Sequence, residues 1–368
     1  MTNTTSQTRT ILPRGSARAD RTTQFTRGVT AAFWITLGIS VAAAPVHAQP
    51  AEPDLTAMKA KYRRPAEVPF PDDNAYSLAK AELGQKLFFD PRLSGPSTMS
   101  CASCHNPGLS WSDGLPTAIG SGANHLSRRS PTILNLAWAS ALFWDGRADS
   151  LEQQALGPIQ APGEMNNSMP MLVSMISDLR GYREAFATAF PNEPISPGTI
   201  AKAIATFERT VVSGQAPFDR WIGGEETAIA DAAKRGFVTF NTKAHCVACH
   251  SGWRFTDDSF HDIGLPDADR GRGELTPGIT PLDHAFKTPG LRNIAERGPY
   301  MHDGSVKTLT AVIHHYDGGF LPRPSLSEEI HKLDLSRQEV TDLVEFMKTL
   351  SSKDANIAVP CLPTTEIN

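Results

Sequence analysis

The chain has 368 residues, 40% hydrophobic and 20% charged, with a formal net charge of −4 at pH 7. That length and balance allow a sizeable core and exclude fibrous, low-complexity and wholly disordered chains. The mild acidity argues against a nucleic-acid binder, and 28 Gly with 28 Pro predict many turns and irregular loops.

The first feature along the chain is a membrane-targeting pattern. Arg9, Arg14, Arg18, Arg21 and Arg27 precede an apolar run, Val29–Ala44, interrupted by Thr30, Thr36, Gly38 and Ser40. Val46-His47-Ala48 then places small residues where a signal peptidase cuts. Residues 1–48 therefore read as a secretory signal peptide; the run is short and polar-interrupted for a membrane anchor. Without a paired arginine the Sec route is expected. The segment holds five Arg and one Asp, so the remainder keeps 30 basic and 38 acidic side chains, formally −8. The expectation is an acidic periplasmic protein with no stable membrane insertion after cleavage.

Next comes a helical pattern over Asp72–Phe89, with Gly84 and Phe88 in a Gly-x-x-x-Phe spacing, and then Cys101-Ala-Ser-Cys104-His105. Helices are predicted over Leu151–Leu156, Met171–Phe190 (with Gly181 as a break) and Thr199–Ser213, the last with Pro197 and Thr199 as a start signal. A joint is expected near Asp219–Thr227. The earlier pattern then returns: a helix over Ala228–Phe240 with Gly236 and Phe240, followed by Cys246-Val-Ala-Cys249-His250. A Gly/Asp-rich loop spans Asp257–Asp283, and helices are predicted over Thr308–Tyr316 and Ser336–Leu350.

Four of the five cysteines thus form two C-x-x-C-H motifs. This is the attachment pattern of c-type haem: two thiols form thioethers with the vinyl groups, and the adjacent His reaches the iron. One copy would compete with a thioredoxin-like pair or half a zinc site. Two copies in an exported chain, 145 residues apart and with no βαβ pattern around them, point to two covalently bound haems. The cofactor-binding residues are Cys101, Cys104, His105, Cys246, Cys249 and His250. Cys361 reads as a free thiol. The expected fold is mainly α, with two cytochrome c-like haem domains from an internal duplication. Residues 49–222 form the first domain, 223–353 the second and 354–368 a tail.

Further strings extend this reading: Leu87-Phe88-Phe89-Asp90, Phe143-Trp144-Asp145-Gly146-Arg147-Ala148, Gly157-Pro158-Ile159-Gln160 with Glu164-Met165, and Gly298-Pro299-Tyr300-Met301-His302-Asp303-Gly304. With them the chain, from about Ala75 to Ser351, resembles the bacterial diheme cytochrome c peroxidase family. The resemblance implies a peroxidatic first haem and an electron-transfer second haem. It implies that Glu164 moves protons for O–O cleavage, with Gln154 and Pro158 beside it, and that Trp144 lies between the haems. Calcium is also implied, through an Asn side chain near the Pro-Tyr-x-His string. That position is Arg129, which makes calcium doubtful; the guanidinium is expected to take the cation's place.

Two departures resemble the MauG-like branch. Peroxidases that need reductive activation carry a distal His sixteen residues after the first proximal His, and here that residue is Ser121. The competing ligand is His125. Fourteen residues after His302, where typical peroxidases place a Met ligand, stands Tyr316. A phenolate there would favour oxidised iron, with His314, His315 and Met301 as competitors. The relay Trp that MauG carries two residues before its second motif is Ala244 here. Three readings follow. The first is a peroxidase reducing hydrogen peroxide with electrons from a small donor protein, a cytochrome c or cupredoxin. The second is a MauG-like oxidase modifying a partner protein, and the third a non-catalytic electron carrier.

Overall fold

The computed structural model describes Gln24, residues 54–353 and residues 357–364. The signal-peptide reading of residues 1–48, apart from Gln24, lies outside the described residues. Among the described residues no helix is long and apolar enough to cross a membrane.

The helices are α1 (Leu55–Ala60), α2 (Leu78–Phe89), α3 (Cys101–Cys104), α4 (Leu151–Gln160), α5 (Met169–Asp178), α6 (Arg180–Ala189), α7 (Pro197–Thr210), α8 (Pro217–Ile222), α9 (Asp231–Asn241), α10 (Leu309–His314) and α11 (Arg337–Lys348). The only strands among the described residues are β1 (Phe260–His261) and β2 (Phe286–Lys287), paired antiparallel with His261 opposite Phe286. The fold is mainly α.

Most helix starts are written in the sequence. Ser77, Ser150 and Ser168 each accept a backbone N–H of the first turn of α2, α4 and α5. Ser196 with Thr199, and Ser336 with Glu339, close reciprocal capping boxes on α7 and α11. Three expected spans change. Asp72–Asn74 is a separate 3₁₀ turn, because the buried Asn74 is held by Glu152 Oε1 at 2.8 Å and the Lys202 carbonyl at 2.9 Å. The expected Met171–Phe190 helix breaks at Leu179, which is extended and turned into the core. Its Gly181 lies within the next helix, where a Cβ would meet Pro363 at 2.9 Å. The expected Thr308–Tyr316 helix stops at His314 and opens into a wide turn, His315–Gly319, with Gly318 at φ +123°.

Among the described residues two large apolar cores organise these elements, with a smaller cluster of Leu142, Ala148, Leu151 and Ala205. Leu83, Leu87, Phe88, Trp111, Ile159, Tyr182, Phe186, Ile204 and Phe207 belong to the first, which ends at Val211. The second contains Tyr62, Phe218, Trp221, Phe237, Phe240, Phe255 and Phe346. The predicted joint at Asp219–Thr227 is therefore corrected. It begins inside α8, where Phe218 and Trp221 are fully buried in the second core and Asp219 accepts from Arg292 at 2.8 Å. The chain ends also cross between lobes. Tyr62, Leu55 and Met58 pack on the second core, whereas Ile357 packs on the first.

The duplication is visible in three dimensions. A Cβ on Gly84 would lie 1.9 Å from the Ala203 carbonyl of α7, and a Cβ on Gly236 would lie 1.9 Å from the Asp342 carbonyl of α11. Four residues beyond each carbonyl stands a Phe, Phe207 and Phe346, whose Cβ is the next clash at 2.9 and 2.8 Å. Glycine lets α2 and α9 touch the backbone of their partners, which no other residue allows. Asn135 and Asn293 repeat as well, each at positive φ and each accepting on its side chain from a serine N–H, Ser213 and Ser352, at 3.0 Å.

Candidate active site

Both motifs open onto one cavity of about 530 Å³. Its lining includes Cys101, Cys104 and His105 from the first lobe and Cys246, Cys249 and His250 from the second. None of the four motif cysteines is in a disulfide. Each motif histidine is oriented by a backbone carbonyl: His105 Nδ1 meets the Trp111 carbonyl at 3.3 Å, and His250 Nδ1 meets the Phe255 carbonyl at 2.8 Å. Bonding at Nδ1 leaves Nε2 as the basic atom, and burial lowers both pKa values, so both rings are neutral ligands. Two unpaired thiols and one oriented neutral imidazole per lobe are the donor set that covalent haem requires.

The first lobe's share of the wall is mixed and includes the polar side chains Gln154, Glu164 and Glu208. Gln154 and Pro158 lie four residues apart on one face of α4 and both line the cavity. The turn after α4 brings up Glu164, whose carbonyl accepts from Ser121 N–H at 2.7 Å. The two loops are locked there, since a Cβ on Gly120 would lie 1.8 Å from the Gly163 carbonyl. Burial raises the Glu164 pKa, and Arg147 partly opposes this. Ser121 is buried behind the wall, and His125 is exposed away from the cavity.

The second lobe's share mixes apolar residues such as Leu343 and Met347 with charged ones such as Lys287, Arg292 and Glu329. Tyr316 lines the cavity, and burial together with the Cys249 and Cys246 thiols raises its pKa. The neighbouring histidines point elsewhere: His315 Nε2 faces the Ile263 carbonyl at 2.8 Å, and His314 is exposed. Met301 lines the cavity, as does the buried Ala244.

Trp144 lines the cavity, its indole N–H donating to the Arg129 carbonyl at 2.8 Å. The Arg129 guanidinium is buried and donates to Ser112 Oγ at 3.2 Å, while its Nε lacks a partner. The nearby Arg297 is buried too, and burial beside Arg129 lowers its pKa to about 9. Two buried guanidiniums do not fit calcium at this position. Cys361 is free and exposed.

Sequence reasoning missed Glu208. It lines the cavity from α7, is buried, and has an unpartnered Oε2. The available signal was an acid directly after the largely apolar run Ala203–Phe207.

Fold and site together define a cytochrome of two c-type haem lobes sharing one interior. The comparisons agree. Residues 78–227 match the family model "Di-haem cytochrome c peroxidase" and residues 233–351 match "Cytochrome c". The chain is 53% identical over 324 residues to the methylamine utilization protein MauG of Methylorubrum extorquens, covering 87% of this chain and 92% of that protein. It is 34% identical to the cytochrome c551 peroxidase of Pseudomonas aeruginosa, covering 78% and 83% respectively. Among solved structures, a MauG-like protein associated with microbial copper homeostasis superposes with a TM-score of 0.73 at 35% identity, covering 80% of this chain and 94% of that one. The chain belongs to the di-haem cytochrome c peroxidase family. It is an oxidoreductase with two c-type haems.

Proposed function

We propose that this protein is a peroxide-driven oxidase of the MauG-like kind, which draws two electrons from side chains of a partner protein in the periplasm. When bound, the haems supply the iron site for peroxide and the capacity to hold two oxidising equivalents. The chain's own residues do the rest. His105 and His250 hold the irons through Nε2. Glu164 takes the proton from the inner oxygen of hydrogen peroxide and returns it to the outer oxygen, which leaves as water. Gln154 and Pro158 shape that pocket and limit water. Trp144, fixed by its bond to the Arg129 carbonyl, carries charge between lobes. Overall, hydrogen peroxide, two electrons and two protons become two waters.

The observation that carries this reading is Tyr316. Of three adjacent candidates it alone lines the cavity beside Cys246 and Cys249, and a phenolate ligand lets the second lobe hold an oxidising equivalent. The test is EPR of the diferric protein before and after one equivalent of peroxide. We expect one high-spin and one low-spin ferric signal, both lost on addition. In Tyr316→Met the second lobe's signal should persist. Persistence of one signal in the unaltered protein would sink shared storage.

A second reading rests on Ala244, which offers no aromatic relay at the second motif. It favours a small electron donor, a cytochrome c or cupredoxin, over a protein substrate. Rapid peroxide-dependent oxidation of reduced cytochrome c, with no mass change in any partner protein, would select it.

A further inference from the structure

The family string around Trp144 recurs around His302. In the first lobe Leu142 and Ala148 bridge across Phe143-Trp144-Asp145-Gly146, and in the second Tyr300 and Val306 bridge across Met301-His302-Asp303-Gly304. Phe143 and Met301 both have positive φ, as do Gly146 and Gly304. Trp144 and His302 are therefore duplicates, and they meet edge to face at 6.4 Å.

Their aspartates have different surroundings. Asp145 is taken by two arginines, Arg128 at 2.6 Å and Arg147 at 2.8 Å. Among the described residues Asp303 makes no ion pair with Lys or Arg. Instead it converges with Asp267 on His302, and the ligand atoms of all three lie within 4.8 Å of one another. His302 is 3% exposed, yet its Nε2 has no hydrogen-bond partner. Asp267 Oδ2 is also buried and unpartnered. The His302 Nε2 to Asp267 Oδ1 separation is 3.6 Å, too long for a hydrogen bond. It is close to the roughly 3.3 Å that separates two donors on one tetrahedral zinc.

We infer that Asp267, His302 and Asp303 form a binding site for one first-row divalent cation. Two carboxylates and one neutral imidazole give the cluster a formal charge of −2. Arg128, whose charge is felt at His302, is already matched by Asp145 and by Asp269 at 2.7 Å. The mixed nitrogen and oxygen set suits zinc or manganese, and the imidazole disfavours calcium, which takes oxygen ligands. The ring is held in place before any metal arrives, stacked on Phe286 at 3.5 Å and 12°. The Asp303 loop is pinned as well, since a Cβ on Gly304 would lie 2.3 Å from the Pro116 carbonyl. Neither the haem ligands nor Glu164 belong to this cluster, although His302 lines the cavity beside Trp144.

The test uses full-length protein carrying both haems, stripped with EDTA and titrated with Zn²⁺ by calorimetry, with metal counted against haem iron. One equivalent of zinc is expected. Asp303→Asn and His302→Gln should each weaken binding at least about tenfold. Because His302 is in the core, Asp303→Asn, on a half-buried turn, keeps the test valid if His302→Gln fails to fold; the haem absorption spectrum reports integrity. No zinc above the haem iron would overturn the inference. So would a loss confined to His261→Ala, which would place the metal beside Asp257 and Cys249 instead.

Discussion

The two lobes share a skeleton and differ in the walls they give the cavity. Gly84 and Gly236 repeat to the same 1.9 Å approach, and Asn135 and Asn293 repeat with the same serine contact. Those positions hold helix against helix and tolerate little change. Divergence is concentrated where side chains face the interior. The first lobe presents Gln154, Glu164 and Glu208, whereas the second presents Tyr316, Met347, Lys287 and Glu329. Duplication supplied two equal frames, and chemistry was divided between them by substituting wall residues. At matched positions the walls differ, as where Glu208 of the first lobe corresponds to Met347 of the second.

The sharpest way to break that division is Glu164→Gln. If proton transfer belongs to the first lobe alone, the bimolecular reaction with peroxide, followed by stopped-flow absorbance, should slow by about 10²- to 10⁴-fold. The EPR signal of the second lobe should be unchanged beforehand. A loss under threefold would mean that the polar wall is not the acid–base apparatus.

The equality of the frames is tested by Gly84→Ala and Gly236→Ala. Each new methyl would overlap a backbone carbonyl at 1.9 Å, and backbone cannot rotate away as a flexible side chain can. Overpacking of this kind costs about 3 kcal/mol. Chemical denaturation should show losses equal within about 1 kcal/mol in the two variants. A large loss in one only would mean that the repeat is geometric but not energetic.

Much of this was legible in the sequence because covalent chemistry imposes strict spacing. The C-x-x-C-H motifs and the Gly-x-x-x-Phe helices named the two lobes, and serines before apolar runs marked most helix starts. The misses have physical causes. Nothing local to Pro217–Ile222 shows that Phe218 and Trp221 are buried, since α8 is tied to Arg292, which reaches Asp219 from 73 residues away. The early end of α10 follows from Gly318 at φ +123°, a backbone state that residue type permits without requiring. Among Tyr316, His314 and His315, direction is set by the wide turn after α10, and no periodicity encodes that turn.

The finest test concerns one pair of matched positions. Ala203 and Phe207 in α7 correspond to Asp342 and Phe346 in α11, so Glu208 corresponds to Met347. Both are buried and both line the cavity, but only the first lobe places a titratable group there. Burial pushes the Glu208 carboxyl up to about 8, with Glu152 adding to the rise and Arg209 opposing it. The native state therefore keeps a proton that the unfolded chain releases near pH 4.5. Stability from this group is greatest below pH 4.5 and falls as pH rises towards about 8, because in that window the folded state binds more protons. Allowing for relaxation around a buried acid, the fall should be about 2 kcal/mol. Glu208→Gln keeps the shape without the proton, so its denaturation free energy should lose that slope between pH 5 and 8, while Met347→Leu leaves the slope intact. If Glu208→Gln and the unaltered protein show parallel pH profiles, the buried acid is ionised in the native state. The polar wall of the first lobe would then hold two carboxylates at neutral pH.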